Sequence, residues 1–436
     1  MSYPVFGMRN SILNELNELL SQHVITEDEA DRIREYYRKK PQPENNRLVI
    51  IFGVLGSLLV GMGLVLIIAH NWDNLPKFIK LAVALFPLLL GQGICGYLLW
   101  KNSTSAAWRE GASVFVVCAI ATAISIVSQV YNIEGNFGNF LFVWMLLTLP
   151  IIYVMQSSAV SLLFWMGITW YACEDGYFHY DRGIVYKYWV LALAAVPFYW
   201  QRCKSAIQSN ATTLHHWVIA GSLVITLGTF ADHAEELLMP AYIFLFGIFV
   251  LIGQLPVFSG KNLFANAYLV AGSLGSIVLL LMLSFDWYWD EIQRKDFGEW
   301  IGSPELFVCL FLILAGAGLY AFLLKRSHVS ELLSKSYIIP VFLVLFVVGI
   351  YNPDTAQVLV NLFVLILAVY TIREGAHADH LGRMNYGLMI LTLLIICRFF
   401  DANLTFVVRG LLFVLVGLGF FAMNYWMIRK RKEQQP

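Results

Sequence analysis

The chain reads as an all-α integral membrane protein, a polytopic bundle of about fourteen transmembrane helices preceded by a short N-terminal cytoplasmic helical hairpin. Three observations carry that expectation. Of 436 residues, 59% are hydrophobic and 13% charged, against roughly 45–50% and about 25% in soluble domains. The apolar residues fall in continuous runs close to the ~20 residues that cross a ~30 Å hydrocarbon core. The formal net charge is zero, yet Lys and Arg cluster at particular connections. Hydrocarbon offers the backbone no hydrogen-bond partner, so a crossing segment is a helix or part of a closed barrel, and runs without alternation are helices.

Three regions follow in order: a hairpin and linker at 1–44, a transmembrane domain at 45–428, and a basic cytoplasmic tail at 429–436. Within 9–40, Leu13, Leu16, Leu19 and Leu20 recur at helical spacing. Thr26-Glu27-Asp28-Glu29 reads as a capping box, with Thr26 covering the amide of Glu29 and the acids at the positive end of a second helix. Ala30, Ile33, Tyr36 and Tyr37 continue the apolar face. Such a pair is too small to hold itself together, so residues 9–40 are expected to dock on the membrane domain, on a second copy in a homo-oligomer, or on a protein partner. Pro41 and Pro43 end the second helix.

The expected spans are 48–69, 79–100, 109–130, 138–155, 158–173, 185–200, 214–231, 238–258, 265–286, 305–324, 336–351, 355–372, 384–400 and 404–427. The fourth to sixth and the eleventh are short, and one of them is a candidate re-entrant segment. Trp72, Trp100, Trp108, Trp200, Trp217, Trp287 and Trp426 stand near span ends, where an amphipathic ring prefers the headgroup layer. The connection at about 287–304 mixes Trp287, Trp289, Ile292, Phe297 and Trp300 with charges, which suits an interfacial amphipathic segment. Small-residue steps at Ser57/Gly61 and Ala271/Gly275 allow close helix contact.

With the N-terminus inside, 21 Lys and Arg residues lie on the cytoplasmic side and 8 outside, while acids divide 13 to 16. Positive residues favour the cytoplasmic side, so both termini are expected there, in a bacterial cytoplasmic (inner) membrane. The polar first forty-odd residues do not resemble a cleavable signal peptide. Six cysteines without paired spacing indicate neither a disulfide framework nor a zinc site. Neither a cofactor nor a nucleic-acid partner is expected; membrane lipids are the expected surroundings.

Several strings together carry a family resemblance: Leu20 to Tyr37, the run from Ala69 to Leu81 (AHNWDNLPKFIKL), Trp108-Arg109-Glu110-Gly111, Ser128-Gln129-Val130-Tyr131-Asn132, and Trp144 to Pro150. They resemble the bacterial membrane-protein family called domain of unknown function 2157, over roughly residues 10–155. The resemblance implies a multi-spanning membrane protein with no established activity. His23 stands where the family's first hairpin has glycine, at a turn that favours a left-handed residue.

A charge at mid-bilayer costs about 2.5–3.5 kcal/mol on insertion scales, so polar groups in or near spans need a partner or a function. The turn His70-Asn71-Trp72-Asp73 sets an imidazole and a carboxylate three residues apart, a proton-linked or ligand-binding arrangement unless its polar groups only cap spans. Arg109 and Glu110 open the third span, as a gate or as interfacial anchors whose side chains pair with other helices. Gln129, Tyr131 and Asn132 end that span. Pro87 with Gly91-Gln92-Gly93 and Gly96 weakens the second span, leaving Gln92 where transporters often have a broken helix. Arg398 and Asp401 have the spacing of an intrahelical pair, and Arg409 lies at a similar depth, an arrangement that either receives an anionic group such as a phosphate or carboxylate or neutralises itself and snorkels to the surface. Arg109-Glu110-Gly111 recurs as Arg373-Glu374-Gly375. The strings Asp232-His233-Ala234-Glu235-Glu236 and His377-Ala378-Asp379-His380 contain metal-ligating residue types at unspecific spacing, and no metal site is expected from them.

Neither a phosphate-cradling glycine loop nor a nucleophile elbow is present, and no catalytic set is assigned. Three functions remain: a transporter or flippase-like protein for a small or anionic substrate, a non-catalytic membrane scaffold or sensor that recruits partners through residues 9–40, and a membrane-embedded enzyme acting on a lipid-linked substrate. A polar cavity at Gln92, Arg109 or Gln129 would favour the first, a filled interior the second, and a cleft gathering His70, Asp73, Arg398 and Arg409 the third.

Overall fold

The computed structural model describes residues 16, 19–20, 22, 24–39, 72–103, 105–178, 185–258, 263–295, 297–325 and 338–401, with scattered helical positions between 407 and 425. Among them no strand occurs, and the chain divides into two compact units, 1–80 and 81–436.

In the first unit, α1 (Glu27–Lys39) begins where the acidic run predicts. Its cap differs in one respect from expectation. The Glu29 carboxylate reaches back and accepts from the Thr26 amide at 2.9 Å and the Thr26 hydroxyl at 2.8 Å. Thr26 thus donates both bonds, the reverse half of the capping box. Leu16 and Ala30 are buried, and Val24 donates to the Leu19 carbonyl at 3.0 Å. The expectation about His23 at this turn lies outside the described residues. A 3-10 turn at Trp72–Asn74 follows, and the Lys80 ammonium lies 5.3 Å from the Trp72 ring centre.

The expected second to thirteenth spans each correspond to a helix: α2 (Lys77–Trp100), α3 (Ala106–Tyr131), α4 (Phe137–Met155), α5 (Ser158–Tyr177), α6 (Tyr186–Ser205), α7 (Asn210–Leu227), α8 (Leu238–Gly253), α9 (Ala267–Met282), α12 (Pro304–Leu324), α13 (Ile338–Tyr351), α14 (Pro353–His377) and α15 (Leu381–Asp401). Among the described residues eight helical segments are long and apolar enough to cross a membrane, or nine if one bent pair counts as a span. The expected first span lies outside the described residues, and the fourteenth is described only at scattered positions. Helices α5 and α6 run to 20 residues each but carry Glu174 and Asp175, or Arg202 and Lys204, in their last turns. The interruption falls not in the short fourth, fifth, sixth or eleventh segments but in the ninth. There α9 and α10 (Trp287–Arg294) meet at 75°.

Helix α10 also departs from the expected interfacial segment. Tyr288, Trp289 and Ile292 are buried in the protein, and the Trp289 ring lies directly over Gly349 of α13, where a Cβ would collide with it. Trp300, at the end of α11 (Phe297–Trp300), is buried as well. Gly275 meets the Phe246 ring, as the small-residue step at 271/275 predicts.

Aromatic side chains fill the second unit. Phe164, Tyr171, Tyr188 and Phe198 are fully buried in one cluster across α5 and α6, and Phe244, Phe249, Tyr288, Trp289 and Phe342 in another across α8 to α13. Hydroxyls cross the first cluster as a chain, Tyr188 to Ser222 at 2.7 Å and Ser222 to Thr169 at 2.6 Å, while Thr169 returns its own hydrogen to the Trp165 carbonyl at 2.6 Å. Interhelical hydrogen bonds of this kind are worth roughly 0.6–2 kcal/mol in membranes.

Two predictions follow from these contacts. Gly349→Val should destabilise the detergent-solubilised protein by about 1–3 kcal/mol, since a fully buried indole has nowhere to move, a loss read from thermal unfolding. The two Thr26 hydrogen bonds, the backbone one first, hold the Glu29 carboxyl below its ordinary pKa. A depressed carboxyl stabilises above its unfolded pKa and loses that contribution as pH falls through the folded value. Amide exchange across 27–33 in full-length Glu29→Gln should therefore be faster than wild type at neutral pH, and the difference should vanish on acidification below the carboxylate range.

Candidate functional site

Arg109 and Glu110 lie near the start of α3, at its fourth and fifth residues, and reach in different directions, as adjacent helical residues must. Arg109 Nη2 donates to the Met155 carbonyl at the end of α4, at 2.7 Å. Glu110 accepts from the Ser157 hydroxyl and from the amides of Ser158 and Ala159, both at 2.9 Å. One dipeptide thereby binds both sides of the α4–α5 turn, the cation on a C-terminal carbonyl and the anion on N-terminal amides, each at the helix pole its charge favours. Gln156 makes the turn in left-handed backbone, with φ of 52°. This settles the pairing of Arg109 and Glu110 with other helices and gives them a structural task.

Gln92 lies on continuous helix. Pro87 is accommodated inside α2, so the expected break at Gly91-Gln92-Gly93 is absent. Gly91 serves close packing instead, because a Cβ there would lie 2.8 Å from the Phe115 and Val116 side chains of α3. Gln92 is exposed on the wall of a groove of about 570 Å³ between α2, α3 and α4, whose other lining residues are apolar. Gln129 and Tyr131 are exposed at the far end of α3, and Asn132 caps that helix with φ of 49° and its amide directed to the Ser128 carbonyl.

The principal polar gathering inside the bundle is the α9–α10 break at residues 283–286. Each loosened carbonyl there has a partner: Leu281 accepts from the Ser284 hydroxyl at 2.6 Å, Leu283 from the Trp289 indole at 2.8 Å, and Ser284 from the Asn361 amide at 2.9 Å. Arg398 of α15 donates to the Ser284 hydroxyl at 3.2 Å and lies 4.7 Å from the Phe285 ring centre. The Asn361 side-chain oxygen is buried without a hydrogen-bond partner. A half-buried guanidinium, a hydroxyl and an open amide oxygen thus meet at one helix interruption.

Residues 17–161 match the family model of domain of unknown function 2157, described as a predicted membrane protein. The chain is a membrane protein with several apolar helices. No curated protein and no solved structure matches it.

Of the other expected site residues, His70, Asn71 and Arg409 lie outside the described residues, as do the side chains of Asp73 and Asp401. The proposed gathering of His70, Asp73, Arg398 and Arg409 and the Arg398–Asp401 pair are accordingly not described. Sequence reasoning missed Ser284, Trp289 and Asn361, although Ser-Phe-Asp closing an apolar run is a usable signal for a helix end. It also missed the buried carboxylate of Glu305, and it named Glu236 only within the string 232–236, without the contact it makes. Glu305 accepts from the amides of Asp232 at 2.6 Å and Ala234 at 3.1 Å, and Glu236 accepts from the Trp300 indole at 2.7 Å with Lys295 at 3.9 Å. In the string 232–236 the backbone and Glu236 are engaged in holding helix ends, and no cluster of metal-ligating groups occurs among the described residues. A further missed group is Tyr199, whose hydroxyl meets His216 Nδ1 at 2.7 Å and the Tyr268 hydroxyl at 2.9 Å.

Glu110→Gln keeps the shape of the side chain but removes the charge that three donors share. The expected loss is about 1–3 kcal/mol of stability, measured as a lower melting temperature in detergent, with the α4–α5 turn newly open to protease.

Proposed function

We propose that the chain is a transporter-like protein whose substrate is a small anion, bound at the α9–α10 break. The observation that carries the reading is the position of Arg398 against Ser284 at a helix interruption that also presents the unpartnered Asn361 oxygen. Interrupted membrane helices are where transporters expose backbone and polar side chains to substrates. Arg398 would bind the anionic group, and Asn361 would accept from a donor on the same molecule. Helix α10 would act as the gate, since it is eight residues long, amphipathic, and seated through Trp289.

A filled interior favours a second reading, a non-catalytic scaffold or sensor. The aromatic clusters across α5–α6 and α8–α13 pack the described part of the bundle with large side chains. The two readings separate on ligand-induced stability. Detergent-solubilised protein should melt higher in at least one of inorganic phosphate, sulfate or succinate than in chloride of equal ionic strength. A ligand at 100 times its Kd contributes about 2.7 kcal/mol. Arg398→Gln should abolish that gain while its melting in chloride stays cooperative. If none of the three anions shifts the transition, or the variant keeps the shift, the anion site is rejected and the scaffold reading stands.

A further inference from the structure

The groove between α2, α3 and α4 is apolar along its length and cationic at its mouth. Leu88, Ile124 and Leu147 line one end; Leu99 and Met155 line the other. From Leu147 to Met155 is about 12 Å along a helix, a fraction of one leaflet. At the Met155 end Arg109 donates to the Met155 carbonyl itself, while the Lys101 ammonium lies 5.3 Å over the Tyr97 ring, on the side of α2 turned away from the lining residues Gln92, Cys95 and Leu99. Trp100 and Trp108 are strongly exposed at this same end, as interfacial rings are at headgroup level.

The charge at this mouth is not cancelled from within. Glu110, the acid nearest Arg109 in sequence, is turned onto the α5 amides. Arg109 contacts a neutral carbonyl, and among the described residues it forms no ion pair. An apolar channel that ends beside a guanidinium bonded only to a neutral carbonyl complements one kind of molecule, an amphiphile with a hydrocarbon tail and an anionic head. Basic pockets between membrane helices recognise lipid headgroups in this way.

We infer that the α2–α3–α4 groove is a binding site for an anionic membrane lipid, its acyl chain against Leu88 to Met155 and its headgroup at Arg109. With positive residues inward, the site faces the cytoplasmic leaflet. Gln92, the one amide on the wall, lies about 10 Å along α2 from Leu99 and so meets the acyl chain well below the headgroup.

Full-length protein is reconstituted in nanodiscs of phosphatidylcholine with one-fifth phosphatidylglycerol, extracted into mild detergent, and its retained lipid identified by native mass spectrometry. Phosphatidylglycerol should be retained over phosphatidylcholine by about fivefold, the effect of one basic side chain near an anionic surface. Gly96 lines the groove and has open space where a Cβ would stand, so Gly96→Phe should fold with wild-type melting and lose the retained lipid. Gly96→Leu is read in its place should the larger ring prevent folding. Arg109→Gln should retain lipid without headgroup preference, and Arg109→Lys should restore that preference. Equal retention of both lipids by wild type, or unchanged retention after the groove is filled, overturns the assignment.

Discussion

An amide or carbonyl left open inside hydrocarbon costs several kcal/mol, and this constraint explains most of the polar chemistry in the bundle. A helix satisfies its own middle but leaves four amides and four carbonyls at its ends. Where turns are two or three residues long and packed among neighbours, side chains from other helices must complete those ends. Glu110 covers the start of α5 and Arg109 the end of α4. Glu305 covers the amides at 232 and 234, and Cys309 donates to the Leu237 carbonyl at 3.1 Å. The buried charges are therefore fixed partners of backbone poles, and their desolvation is offset by bonds that the turn needs in any case.

The α9–α10 break shows the same accounting carried to its limit. Three carbonyls are freed and three side-chain donors, Ser284, Trp289 and Asn361, take them up. After that the site still holds Arg398 and the Asn361 oxygen. The Asn361 oxygen is buried without a hydrogen-bond partner, so the arrangement keeps an acceptor that the break itself does not use. That surplus separates this place from the α4–α5 turn, where the Glu110 carboxylate is fully occupied by three donors from the turn it caps.

What was legible in the sequence divides along physical lines. Apolar run length is a local property that follows from hydrocarbon thickness, so helices appear at every expected span from the second to the thirteenth. The acidic run at 27–29 likewise marks the start of α1. Partners across the bundle are not local. Ser284 and Arg398 are 114 residues apart and Trp300 and Glu236 are 64 apart, and no spacing rule connects them. Proline and glycine misled for a related reason. Around Gln92 they suggested a broken helix, but Pro87 lies within continuous α2 and Gly91 admits Phe115 and Val116. Whether a weak stretch breaks depends on what packs beside it, which only the fold supplies. The amphipathic pattern at 287–304 was visible, yet its apolar face met α13 through Trp289 rather than the lipid interface, because Gly349 leaves room for that ring.

The two Arg-Glu-Gly strings show how one local pattern serves two packings. At 109–111 the acid crosses to α5 amides and a Cβ at Gly111 would meet nothing. At 373–375 the acid pairs with Arg383 at 2.8 Å, and a Cβ at Gly375 would lie against the Met384 backbone. In the second case the glycine lets α14 and α15 approach until their backbones touch, and an exposed ion pair borders the turn. In the first, two side chains of α3 reach across to the α4–α5 turn, and the groove between α2, α3 and α4 ends beside that turn at Met155. Similar residues at two helix ends therefore do not make equivalent halves: the string at 109–111 holds a turn and borders an open groove, while the one at 373–375 closes a tight hairpin.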